Sequence, residues 1–294
     1  MRDTARVVAY AGRLDDGRRE DLLAALHGLG VEVTETSATQ APTYAVLTLD
    51  VELAAPAAEV RAGLSRWTAA SGVGAALVPA PVYSPGPKML IMDVDSTLIR
   101  QEVIELLAAH AGREAEVAAV TEAAMRGELD FAQSLHHRVR ALEGLPAAVI
   151  GEVVERIRLS DGAEALVAAY LGAGHRVGVV SGGFSQVLAP LAQRLRLSFA
   201  KANDLEILDG TLTGRVAGAV VDRREKERTL RAEADRAGVR PAAVIAVGDG
   251  ANDLDMLGAA GLGVAFNAKP AVRAAADAAL DLPDLDVVRH FAGL

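Results

Sequence analysis

Met89-Leu90-Ile91-Met92-Asp93-Val94-Asp95-Ser96-Thr97 is the stretch on which the fold turns. Four apolar residues in a row read as a short buried strand. Two carboxylates follow at once, two residues apart. Open α/β sheets bind their ligands just beyond the carboxyl ends of such strands. Side chains at i and i+2 share a face while extended backbone continues. Asp93 and Asp95 are therefore placed to converge on one reacting centre.

Outward from that stretch, three more apolar runs carry the same pattern. Val177-Gly178-Val179-Val180 ends in Ser181-Gly182-Gly183. Val244 to Val247 ends in Gly248-Asp249-Gly250, and Leu262 to Phe266 reads as a fourth strand. Buried strands that alternate with helical segments predict an α/β architecture with a parallel, doubly wound sheet. The segment from about Gln101 to Leu159 is rich in helix and too long for one crossover. It reads as a helical cap over the strand ends. A smaller excursion spans Phe199 to Val221.

Ala80 to Pro87 holds three prolines and a glycine. It reads as a linker without regular structure. The chain then divides into 1–80, a linker at 81–87, and 88–294 with the cap at about 101–159. The first part orders as strand (Arg6–Tyr10), helix (around Leu22, Leu26 and Leu29), strand (Val31–Thr34), strand (Tyr44–Val51), helix (Ala57–Thr68) and strand (Ala75–Pro79). That order suits a ferredoxin-like βαββαβ unit. It carries no catalytic constellation, so regulation or oligomerisation is its expected work.

Composition narrows the chemistry. The chain has 294 residues, 51% of them hydrophobic, and a net charge of −9. An excess of acid argues against nucleic acid or an anionic membrane as the main partner. Aromatics are only 3%, which disfavours a base-stacking platform. There is no cysteine, so disulfides and thiolate metal sites are excluded. No apolar run reaches the roughly 18 residues of a membrane span, and the amino terminus lacks the apolar core of a signal peptide. A soluble cytoplasmic protein is expected.

The strand ends gather Asp93 and Asp95, then Ser181 with its following glycines, then Asp249 with Asn252 and Asp253. Asp93, Asp95 and Asp249 form an all-oxygen set suited to Mg2+. Ser181 and the amides after it offer donors to a phosphate. Lys226 precedes the third strand; only four of the 30 basic residues are lysines. A compact ammonium there suits phosphate as a point charge. Hydrolysis of a phosphate monoester without help is among the slowest reactions known. A carboxylate nucleophile meets repulsion from the dianion, which Mg2+ and Lys226 would offset. Attack by an aspartate splits the reaction into two easier steps. A second acid can protonate the leaving alkoxide and later deprotonate water. Asp93 as nucleophile and Asp95 as general acid/base follow.

Asp-Val-Asp-Ser-Thr, Ser-Gly-Gly-Phe, the lone Lys226 and Gly-Asp-Gly-Ala-Asn-Asp, in that order, resemble the haloacid-dehalogenase-like phosphatases. Within them the chain is most similar to the group that hydrolyses phosphoserine, in Met92 to Glu102, Thr121 to Leu145 and Ala246 to Leu257. The resemblance covers roughly 88–285. It implies Asp93 and Asp249 side chains and the Asp95 carbonyl as metal ligands. It implies Ser181, Gly182 and Lys226 as phosphate holders with Asn252 nearby, and Asp253 as the residue orienting Lys226 or the metal's water shell. Glu102 would meet the substrate ammonium and Arg138 its carboxylate, which suits bidentate bonding. Phe131 would exclude water as the cap closes. The amino-terminal unit resembles ACT-type regulatory domains, which bind amino acids and pair into sheets. The turn after its first strand reads Gly12-Arg13-Leu14-Asp15-Asp16-Gly17 where such domains often carry Pro-Gly. An L-serine effector and a homodimer are what this resemblance implies.

Three alternatives stand beside the leading expectation. One is hydrolysis of, or phosphoryl transfer from, another small phosphometabolite. The second is a signalling receiver, whose phosphoaspartate must persist and would be undone by an acid at Asp95. The third is a serine sensor with an inactive phosphatase domain. His136 and His137 read as surface or cap residues, since neighbours on a helix point apart. Trp67 reads as packing in the first unit.

Overall fold

The computed structural model describes residues 3–125 and 130–294. Four strands form the amino-terminal sheet: β1 (Asp3–Ala11), β2 (Val31–Gln40), β3 (Ala45–Leu53) and β4 (Gly74–Pro79). They lie in the order β2-β3-β1-β4, every pairing antiparallel. Helices Asp16–Gly28 and Ala57–Ser71 complete the βαββαβ order. β2 continues six residues beyond the expected Thr34. Its second half is an exposed edge, so no buried face imposes the apolar alternation that marks a strand in sequence.

The remaining strands are β5 (Met89–Met92), β6 (Arg176–Phe184), β7 (Phe199–Leu208), β8 (Thr211–Ala217), β9 (Val244–Gly248), β10 (Leu262–Phe266) and β11 (Ala278–Leu280). They form one seven-stranded sheet in the order β11-β10-β9-β5-β6-β7-β8. All neighbours are parallel except β8, which runs antiparallel to β7. The excursion after Phe199 is thus a hairpin that widens the sheet. β5 lies at the centre, where the quoted sequence places the carboxylates. Its residues are fully buried. Leu90 and Met92 enter one apolar cluster, while Met89 and Ile91 enter another with Leu230 and Ala234 of the helix Arg223–Arg236. A strand buried on both faces carries no polar alternation, as expected for a parallel sheet.

The cap comprises helices Val103–Ala111, Glu114–Met125, Phe131–Arg140 and Val149–Arg156. Its two connections to the sheet pair briefly, with Ile99 opposite Leu159.

The proline-rich stretch differs from expectation. Ala80–Tyr83 forms a helical turn and Val82 is fully buried. Proline is compatible with the first turn of a helix, where its missing N–H would have no partner. The turn also holds Tyr83 under the Arg6 guanidinium, 4.3 Å from the ring centroid.

β1 shows how the two sheets join. Val7 and Ala9 pack on the amino-terminal helices, whereas Val8 and Tyr10 belong to the large cluster shared with Leu285, Val288 and Phe291. Tyr10 meets Phe291 edge-on with centroids 5.8 Å apart. Its hydroxyl donates to the Ala279 carbonyl at 2.7 Å.

Candidate active site

The chain turns sharply once β5 ends. Asp93 remains extended, and Val94–Leu98 form a tight turn in which Ser96 takes φ 55°. This is the left-handed region, sparsely used by residues other than glycine, asparagine and aspartate. The turn brings Asp93, Asp95, Ser96 and Thr97 to one edge. Asp93 is buried, and its Oδ1 accepts from the Val94 amide at 2.7 Å and from Lys226 Nζ at 2.8 Å. Burial drives its pKa upward, the Asp253 charge adds to that, and Lys226 opposes it.

Lys226 lies on the buried face of the helix Arg223–Arg236 and has no exposure. Its ammonium also meets Asp253 Oδ1 at 2.7 Å. Burial alone would lower its pKa, but attraction to Asp253 and Asp93 outweighs burial and raises it. Asp253 has its other oxygen on the Gly250 amide at 3.0 Å. Both Asp253 oxygens are thereby engaged, one of them in orienting Lys226. Gly248 is required beneath it: a Cβ there would stand 2.5 Å from Asp253 Cγ.

Asp249 follows β9 and is half-buried. Its Oδ1 accepts from Thr97 Oγ1 at 2.8 Å. Burial and the Asp253 charge push its pKa up to about 6, against the Thr97 bond. Asp93, Asp249 and Asp253 each bring a carboxylate oxygen within 4.8 Å of the others. A set made only of hard oxygens with excess negative charge suits Mg2+. Three carboxylates face one ammonium, so a cation would relieve the remaining repulsion. Among these, Asp93 and Asp249 have the freer oxygens.

Asp95 lies across from Ser181. Its Oδ1 accepts weakly from the Val103 amide at 3.3 Å. A Cβ on Gly183 would come 2.9 Å from Asp95 Oδ2 and 3.0 Å from Ser181 Oγ. Glycine is thus what lets β6 approach the acid. Ile99, Val103, Ile157 and Phe184 wall the remaining space of about 10 Å3, roughly one water-sized sphere. Burial against these walls, and then the charge of Glu102, push the Asp95 pKa up to about 8.

β6 runs through Ser181, Gly182 and Gly183 to Phe184, beyond the expected strand end. Its pairing with β7 is irregular between Val180 and Phe184, so the backbone bows while remaining strand-like. Ser181 Oγ accepts from the Gly183 amide at 2.8 Å, which leaves its O–H to donate. Asn203, fully buried in β7, donates to the Gly182 carbonyl at 2.8 Å and accepts from the Val221 amide at 2.7 Å. It fixes the bow and carries no local signal in the sequence.

Glu102 is half-buried at the start of the first cap helix and accepts from Ser96 Oγ at 2.7 Å. Burial raises its pKa, while the Ser96 bond and Arg138 lower it. Arg138, on the helix Phe131–Arg140, feels burial first and then the charges of Glu102, Asp95 and Glu105. Its Nε donates to the Ser134 carbonyl at 3.3 Å. The cap therefore adds one group of each sign beside Asp95. Asn252 folds back toward Gly250, where a Cβ would meet its Oδ1 at 2.2 Å. The expectation for the Phe131 side chain lies outside the described residues, as do positions 126–129 of the cap stretch. His136 and His137 are exposed, and Trp67 packs on the amino-terminal core. Ser96 and Thr97 join the site without a sequence expectation attached to them. Their signal was two hydroxyls directly after the acids.

A model of the haloacid dehalogenase-like hydrolases matches residues 90–258. A phosphoserine phosphatase of Streptomyces coelicolor is 56% identical over 235 residues, 80% of this chain and 57% of that protein. A phosphoserine phosphatase of Streptococcus thermophilus is 48% identical over 197 residues, 67% of this chain and 92% of its own length. The crystal structure of a hydrolase of the same family from Salmonella enterica serovar Typhi has a TM-score of 0.88 over 98% of both chains, at 27% identity. The chain spans about half the length of the first two curated relatives, 57% and 51%.

Proposed function

The chain belongs to the haloacid dehalogenase-like hydrolase family, and on that premise we propose that it hydrolyses O-phospho-L-serine to L-serine and phosphate, the last step of serine formation. The observation that carries this reading is one set of charges that feel each other: Asp93 on Lys226, a raised acid at Asp95 under the charges of Glu102 and Lys226, and the oppositely charged pair Glu102 and Arg138. Phosphoserine offers a phosphate, an ammonium and a carboxylate to match them.

The phosphate lies against Ser181, the Gly182 backbone and Lys226, with Asn252 nearby. An Asp93 carboxylate oxygen attacks phosphorus as the ester P–O bond breaks. Asp95, whose burial favours its protonated form, gives its proton to the leaving serine oxygen. The phosphoryl group now rests on Asp93. Asp95 next takes a proton from the attacking water, and phosphate leaves. Asp93, Asp249 and the Asp95 carbonyl would hold Mg2+, whose charge would offset repulsion between nucleophile and phosphate. Glu102 and Arg138 orient the serine part, and closing the cap excludes water.

Residues 1–80 serve as an ACT-like regulatory domain in this reading, with 81–87 as the connection and 88–294 as the catalytic domain. A cavity of about 170 Å3 in that first domain, lined among others by Asp15, Arg18, Arg19, Gln40 and Trp67, is where L-serine would act as effector. In the same reading this domain would pair two chains into a homodimer. Among the described residues no helix is long and apolar enough to cross a membrane, in keeping with a cytoplasmic enzyme.

Phosphate release from a panel of phosphomonoesters, with and without Mg2+, tests the reading. Phosphoserine is expected to be preferred, and Arg138→Ala to lose that preference while still cleaving a generic aryl phosphate. An Arg138→Ala protein that keeps its preference for phosphoserine rejects the substrate assignment and favours another small phosphometabolite.

A further inference from the structure

Ser160 stands where the cap connection meets the catalytic turn. The outgoing strand of the cap connection, 98–100, pairs with the returning strand, 158–160. Arg100 N donates to the Arg158 carbonyl and Ser160 N to the Leu98 carbonyl, each at 3.0 Å. Backbone alone closes this ladder. The Ser160 hydroxyl is therefore left for other use, and it is buried. It donates to the Thr97 main-chain carbonyl at 2.7 Å. Thr97 has no exposure, and its own hydroxyl donates to Asp249 Oδ1 at 2.8 Å. Two short hydrogen bonds thus link Ser160 to a carboxylate of the proposed metal site.

The other side of Ser160 is also anchored. Leu285 N donates to the Asp161 carbonyl at 2.8 Å. Gly162, at φ +74°, packs so closely on the 284–286 segment that a Cβ would stand 1.9 Å from Asp284 Oδ1. The serine is thus held by a rigid backbone on one side and reaches into the catalytic turn on the other.

We propose that Ser160 is a positioning residue for the metal site, acting through Thr97 on Asp249. Its hydroxyl fixes the Thr97 peptide, and that fixes the direction from which Thr97 Oγ1 holds Asp249. This rests on the reading of Asp249 as a metal ligand. Partners that orient a ligand typically govern metal affinity by about 10- to 100-fold. Ser160 acts one bond further out, so a smaller effect of about 3- to 10-fold is expected.

Calorimetric titration of metal-free protein with Mg2+ and Mn2+, without substrate, tests this directly. Ser160→Ala is expected to weaken binding by that smaller factor, and Ser160→Thr, which keeps the hydroxyl, to restore it. Thr97→Val is expected to weaken binding more. The double variant is expected to bind no more weakly than Thr97→Val alone, because residues in one chain of bonds are not additive. Wild-type affinity in Ser160→Ala, or a loss that adds in full to that of Thr97→Val, overturns the proposal. Should Ser160→Ala fail to fold, weakened binding by a folded Ser160→Thr overturns it equally. A wild-type protein that binds neither cation overturns the metal reading itself along with this one.

Discussion

Lys226 at the carboxylate-rich strand-end edge and Tyr44 at the joint between the two sheets are both buried polar groups, yet their surroundings are of opposite kinds. Lys226 bridges two carboxylates while a third, Asp249, lies close by. Tyr44 donates to Asp286 at 2.6 Å and stands 3.2 Å from His290 Nε2. Burial pushes the Tyr44 hydroxyl up to about 12 and keeps it a donor, and burial also lowers the His290 pKa. Asp286 has Arg289 at 3.3 Å. At the joint the hydroxyls of Thr43 and Tyr44 cap Asp284 and Asp286 beside Arg289, whereas the strand-end edge sets three carboxylates against one ammonium. Local conflict of the second kind is expected where function needs it. The joint holds the fold, and the edge is held by the fold.

The largest test of that contrast is Asp93→Asn. Removing a nucleophile is expected to lower turnover at least about a thousandfold. The same change removes one of three crowded carboxylates, so the metal-free protein is expected to melt no lower than wild type. Phosphate release and thermal melting without metal read the two halves. Normal turnover breaks the nucleophile assignment, and a large fall in melting temperature breaks the claim of unrelieved repulsion.

A gentler test uses pH. Asp95 rises from its ordinary value near 3.8 to about 8, and Asp249 to about 6. A carboxyl raised in the folded state binds more protons there than in the unfolded chain. Its contribution therefore favours folding at low pH and is lost as pH climbs from about 4 toward 8. Metal-free protein is expected to lose melting temperature over that window, and saturating Mg2+ to flatten the loss. Glu102→Gln removes the second cause of the Asp95 shift, so the Asp95 carboxyl resonance of the metal-free protein is expected to titrate at lower pH. An unmoved titration assigns the shift to burial and the Asp249 charge.

The same contrast explains what was legible in the sequence. β5 and β10 coincide with their apolar runs because strands buried on both faces leave a continuous signal. The acids of the catalytic edge are legible because each follows such a run directly. Thr97 was harder, since its partner Asp249 is 152 positions away and a lone threonine implies nothing. Asn203 is harder still: it lies in a strand of mixed polarity, and its two partners are backbone groups. The joint was invisible for the same reason. Thr43 and Tyr44 sit 241 and 242 positions from Asp284 and Asp286, and nothing near either end marks them. The helical turn at Ala80–Tyr83 was hidden by prolines that usually break structure, though here they occupy positions that tolerate them.

Tyr44→Phe is the smallest test and the one that separates the two networks most cleanly. The ring still packs beside His290, 5.7 Å away between centroids, so little apolar contact is lost. The missing hydroxyl leaves the Asp286 carboxylate with Arg289, and costs about 1.5–3 kcal/mol, the usual worth of a hydrogen bond to a charged group. Denaturant unfolding at neutral pH reads that loss. The main-chain bond from Leu285 to Asp161 remains, so Mg2+ affinity and turnover are expected to stay close to wild type. If turnover falls in step with stability instead, the joint does more than hold the sheets together, and the amino-terminal domain reaches the catalytic turn by a route that includes the Tyr44 hydroxyl.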